Sequence, residues 1–156
     1  MLDIKLVCRA AALAVTLGAA AGAGAETATY TGSGNYVADQ DLMPLASGDA
    51  VVLGTAQGTV AMSTEPPSLM EVRCSGMGIA KHGGDYGSVL YCAFIDAVDK
   101  QHGLDIKGIE REGSTALEVV GGSGRWAGAS GTGTLERIRE WSNGGAIRFE
   151  LSVTTP

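Results

Sequence analysis

The chain has 156 residues, 11 Lys and Arg against 17 Asp and Glu, and three cysteines. Its net charge of −6 is scattered and contains no basic block. That excludes a nucleic-acid-binding face, which needs clustered cations to displace phosphate counterions, and for the same reason attachment to an anionic membrane surface.

In chain order, Lys5 and Arg9 precede an Ala/Leu/Val run from Ala10 to Ala21, and Ala23-Gly24-Ala25 comes next. A charged start, a short apolar stretch and a small-x-small site describe a secretory signal peptide over residues 1–25, cleaved before Glu26. The run falls short of the ~20 apolar residues that a spanning helix needs, so no membrane anchor is expected. Cys8 lies ahead of the apolar run and leaves with the peptide. Residues 26–156 form a single domain of 131 residues, enough for one core, in a periplasmic or secreted protein.

Gly accounts for 21 of those 131 residues, and β-prone runs alternate with Gly, Asn, Asp and Ser clusters. Strands are expected over Thr27 to Tyr36 and Ala50 to Met62, the second carrying Gly54 and Gly58 on one face as though it bends. Met70, Val72 and Cys74 then alternate with Glu71, Arg73 and Ser75, and Leu90, Cys92 and Phe94 with Tyr91, Ala93 and Ile95. Asp105 to Glu110 is a further strand. Thr132 to Trp141 is read as a strand, although Leu135, Ile138 and Trp141 recur at a spacing that a helical turn also satisfies. Ala146 to Val153 has the clearest period of two, and Ser142-Asn143-Gly144-Gly145 supplies the hairpin turn between these last two arms.

The two remaining cysteines, Cys74 and Cys92, enter an oxidising compartment and are expected to pair. Folding their runs about Gly83 makes the numbers of opposing residues sum to 166. Cys74 then faces Cys92, Val72 faces Phe94, and Gly76 faces Leu90. Directly opposed Cα atoms lie within disulfide reach.

Six glycines fall within the thirteen residues from Gly121 to Gly133. Gly122-Ser123-Gly124-Arg125-Trp126-Ala127 meets the loose G-x-G-x-x-G/A dinucleotide pattern. Thr132 to Leu135, just beyond it, is strand-like, whereas that fingerprint needs a helix N-terminus aimed at the pyrophosphate, so no nucleotide cofactor is expected. The glycines read instead as a tight corner with close backbone approach. Six to eight short strands with interior glycines favour an all-β fold, a closed antiparallel barrel.

The segment G-G-S-G-R-W-A-G-A-S-G-T-G-T, Gly121 to Thr134, resembles the G-G-T-G-x-(aromatic)-x-G-x-x-G stretch of the allene oxide cyclase and dirigent superfamily and of exported bacterial proteins similar to it. Ser123 stands in place of the usual Thr, and Trp126 in place of Phe or Tyr. The resemblance covers about fourteen residues. It implies a single calycin-like, eight-stranded antiparallel barrel, often homo-oligomeric, whose cavity holds a small apolar or phenolic molecule. It carries over no catalytic residue.

Glu71, Arg73 and Tyr91 share the face opposite the cysteines. If that face lines the lumen, an acid, a guanidinium and a phenol converge on a ligand, with Trp126 as a platform; otherwise they are solvated and Trp126 is a core plug. Arg137, Arg139 and Trp141, with Glu136 and Glu140 behind them, read as a surface salt-bridge ladder. Asp96, Asp99 and His102 read as solvent-facing polar residues, and no metal site is assigned. His82 falls in a turn and has no evident partner. The leading function is an exported small-molecule-binding barrel. A cofactor-free isomerase or cyclase and a non-catalytic structural barrel are the alternatives, and no catalytic residue is assigned.

Overall fold

The computed structural model describes residues 24–84, 86–111 and 113–156. The signal-peptide reading of residues 1–25, Cys8 included, lies almost wholly outside them. Among the described residues no helix is long and apolar enough to cross a membrane.

Eight strands succeed one another around a closed barrel: β1 (Glu26–Pro44), β2 (Ala50–Met62), β3 (Ser68–Ala80), β4 (Tyr86–Asp96), β5 (Gly103–Arg111), β6 (Ser114–Ser123), β7 (Ser130–Trp141) and β8 (Gly144–Thr155). Every neighbouring pair is antiparallel, and β8 returns to pair with β1 from Glu26↔Thr155 to Val37↔Gly144. The nineteen-residue β1 serves both edges. Its first part pairs with β8, and Gly32 to Pro44 pairs with β2.

The expected all-β barrel is therefore the observed one. Strand β2 has the expected bounds, and the β3/β4 register is the one set by the cysteines, with Cys74↔Cys92, Val72↔Phe94 and Gly76↔Leu90. The disulfide is formed, with Cα atoms 4.0 Å apart. The turn at Ser142-Asn143 joins β7 to β8, with Trp141↔Gly144 as its closing pair. Strand β6 has no counterpart among the strands expected from sequence.

The glycine-rich segment closes one end of the barrel. Strand β6 finishes at Ser123, a single 3₁₀ turn spans Gly124–Trp126, and β7 starts at Ser130. Gly124 has φ +59°, and a Cβ there would overlap the imidazole of His102. Gly133 lies against the β8 backbone so closely that a Cβ would strike the Glu150 carbonyl. Glycine at these points lets the strands curl into a closed cylinder.

Packing divides the interior into two parts. Towards the glycine-rich end, Met62, Met70, Leu104, Leu151 and Val153 are each at most 1% exposed. Phe94 and Phe149 meet edge to face with centroids 5.6 Å apart, and Trp126 stands edge-on to Tyr30 at 6.4 Å. This end is a filled hydrophobic core and the main source of stability. The other end is hollow.

Candidate functional site

The hollow arises from side-chain size along the inner faces. Strand β2 turns Gly54 and Ala56 towards it, β3 turns Cys74 and Gly76, and β5 contributes Gly108. Residues this small cannot reach the barrel axis, and they leave a cavity of about 150 Å³. Val72, Phe94, Ile106, Leu117 and Ile147 line it with hydrocarbon, and the Cys74–Cys92 disulfide forms part of its wall.

A polar crown surrounds the cavity, formed by Tyr36, Tyr86, Ser88, Glu110, Thr115 and Arg137. Glu110 arrives there because Leu104, Ile106, Gly108 and Glu110 share the inward face of β5; it is 4% exposed. Arg137 comes two residues after Leu135 on the inward face of β7, opposite Ile147. Its Nη1 donates to Glu110 Oε1 at 2.5 Å and its Nη2 to Oε2 at 2.8 Å, a two-pronged charge-assisted pair. Ser88 Oγ donates to the same Oε2 at 3.1 Å. Arg137 Nε also lies 3.4 Å from Glu140 Oε1. Among the described residues no buried side-chain nitrogen or oxygen lacks a partner.

This arrangement sets the electrostatics. Hydrogen bonding to Glu110 holds the Arg137 proton more firmly than usual, against the opposing effect of burial. Burial raises the Tyr36 phenol above its ordinary value, partly offset by the nearby Arg137 charge. Tyr36 therefore stays a neutral hydrogen-bonding group at the mouth.

The residues singled out from sequence lie elsewhere. Because the disulfide faces the lumen, the alternate residues of β3 and β4 point outward, and Glu71, Arg73 and Tyr91 do not line the cavity. Tyr91 is 58% exposed. Glu71 accepts a hydrogen bond from Lys100 Nζ at 2.5 Å and lies 3.7 Å from Arg73 Nη2; the Lys100 contact holds its carboxyl below the usual range. Trp126 is 1% exposed and belongs to the packed end, covered by the Arg125 guanidinium 4.2 Å from its ring centre. It is a core plug and not a lumen platform.

Arg137 departs from the expected surface ladder because it keeps the inward phase of Gly133 and Leu135, while Arg139 leaves it. A bulge at Ile138 shifts the β7/β8 register between Arg137↔Ile147 and Arg139↔Ala146. Counting by twos through that point puts Arg137 and Arg139 on one face, whereas the extra residue separates them. Leu135, Ile138 and Trp141 therefore lie within one strand, Leu135 packed against the core and the other two exposed.

Asp96, Asp99 and His102 brace the β4–β5 loop. Asp96 Oδ1 accepts the Val98 and Asp99 amides at 2.9 and 3.0 Å, and Asp96 Oδ2 lies 3.3 Å from Arg125 Nη2. His102 Nδ1 accepts the Arg125 amide at 2.9 Å while its Nε2 lies 3.3 Å from Asp99. These contacts tie the loop to the glycine-rich corner.

No protein-family model matches the chain, and no curated protein matches it significantly. Among solved structures it is similar to the pterocarpan synthase dirigent protein GePTS1, at 14% identity and a TM-score of 0.53, over 85% of this chain and 86% of that one. The chain thus has a dirigent-like barrel fold.

Proposed function

We propose that this is an exported small-molecule-binding barrel, which takes an apolar or phenolic ring into the hollow end of its lumen and orients it at the polar crown. One observation carries the proposal. An apolar cavity built from inward glycine and alanine sits directly beneath the Glu110–Arg137–Ser88 cluster. A dry apolar cavity of roughly 150 Å³ accommodates one benzene-sized ring, and the crown supplies the few polar groups that set orientation in such pockets. The lumen disulfide supports an oxidising location. The dirigent-like fold supports the same use of the interior, since its neighbour is named for the synthesis of a small organic product.

Titration with phenol and benzyl alcohol, monitored by NMR shifts of the lumen methyl groups of Val72, Ile106, Leu117 and Ile147, tests the proposal. Saturable shifts are expected there, and Ala56→Leu, which fills the hollow, abolishes them while leaving the circular dichroism spectrum intact. Absence of saturable binding by either ring, or equal binding to the filled variant, overturns it.

A further inference from the structure

Glu110 and Arg137 are the two charged residues lining the cavity among the described residues, and they are already spent on each other. Both terminal nitrogens of Arg137 meet Glu110, and its remaining N–H side faces Glu140. Two carboxylates thus face one guanidinium, and the cluster carries a net negative charge towards an incoming carboxylate. Glu110, at 4% exposure, has no second cation to turn to if a ligand displaced it.

The hydrogen-bond inventory points the same way. A carboxylate has about four acceptor positions, and Glu110 uses three, two for Arg137 and one for Ser88. One acceptor position on Glu110 and the lone pairs of Ser88 Oγ remain for a ligand. These two sites take only a group that donates, and a ligand carboxylate only accepts. Tyr36 and Tyr86 can donate to an anion, but neutral donors do not offset its repulsion from a buried carboxylate in a poorly solvated cavity.

Resting on the lumen-binding function proposed above, we infer that Glu110 makes the cavity selective by charge: it admits neutral rings bearing a hydrogen-bond donor, such as a hydroxyl or primary amide, and excludes their carboxylate counterparts. Glu110 is then a specificity-determining residue that cancels the arginine which would otherwise attract anions.

Benzamide and benzoate have nearly the same shape and differ in charge and in donor content, so calorimetric titration of both at pH 7 isolates the effect. Benzamide is expected to bind at least about tenfold more tightly than benzoate, as expected for a like-charge clash at a desolvated site. In Glu110→Gln, which keeps the shape and releases the Arg137 charge, benzoate should gain about tenfold and benzamide change by less than about threefold. Should that variant fail to fold, Glu140→Gln, at an exposed position, provides the same test with an expected gain for benzoate of about threefold. If neither compound binds the native protein, the lumen-binding function itself falls. If benzoate binds as well as benzamide, or gains nothing on removal of the negative charge, charge selection alone is overturned.

Discussion

Arg137 and Glu110, 27 positions apart in sequence, meet through two parallel hydrogen bonds across the mouth of the barrel. Breaking a buried pair from one side strands the other charge, which typically costs about 3–5 kcal/mol. Arg137 is 35% exposed, so water moderates that cost. Arg137→Met should therefore lower unfolding free energy by roughly 2–3 kcal/mol. The double variant Glu110→Leu/Arg137→Met should recover most of the loss, because no lone charge remains. Urea denaturation of the two variants checks both statements; equal losses in the single and double variants would contradict them.

Joining Cys74 to Cys92 closes a loop of 18 residues in the unfolded chain. Restricting that loop is worth roughly 3 kcal/mol in the chain-entropy treatment. Cys74→Ala/Cys92→Ala should lose about that much stability. It also widens the cavity, so rings larger than benzene should bind the double variant more tightly than the native protein, as measured by titration.

Two glycines of the Gly121–Gly133 segment make opposite predictions. A methyl group at Gly133 would press on the Glu150 carbonyl, and the β7/β8 ladder must part to admit it. Gly133→Ala should cost at least about 2 kcal/mol. At Gly121 the nearest atom to a new Cβ is Asp105 Oδ2, an ordinary 3.6 Å away. Gly121→Ala should stay within about 0.5 kcal/mol of the native protein. Thermal melts of the two proteins separate these cases.

Asp96 predicts the acid response of the packed end. Amide hydrogen bonds from Asp99 and Val98 hold its carboxyl below the usual range. With the folded pKa depressed, the unfolded chain takes up the proton first as pH drops below about 3.9. The stabilisation is thus complete above that point and disappears as pH falls through the folded pKa. Asp96→Asn should flatten the decline of melting temperature below about pH 4; an unchanged slope would assign the acid response to other groups.

How much of the fold and of the site is legible in the sequence depends on whether strict alternation holds. It holds through β3 and β4, where turn position and the two cysteines fix the register residue by residue. Alternation alone does not say which face is inward, so it places Glu71, Arg73 and Tyr91 on the lumen side only conditionally. Glycine is the informative signal for that choice: Gly76 and Gly78 continue the face of Cys74, and inward faces near the hollow end are the ones stripped of side chains. Glu110 carries a readable sign, because it extends the series Leu104, Ile106 and Gly108 and so places a carboxylate on an apolar face. Arg137 likewise continues the inward phase of Gly133 and Leu135, but its separation from Arg139 is not readable, since the bulge at Ile138 arises from pairing with β8 and has no local sequence mark. Strand β6 alternates cleanly at Thr115, Leu117 and Val119, but the glycines directly after it blur its end into the corner.

The pairing of β1 with β8 brings Glu26 beside Thr155, joining the ends of the folded domain. A chain made in sequence order therefore exposes the free edge of β1 until β8 follows. The cylinder can then seal only as a whole.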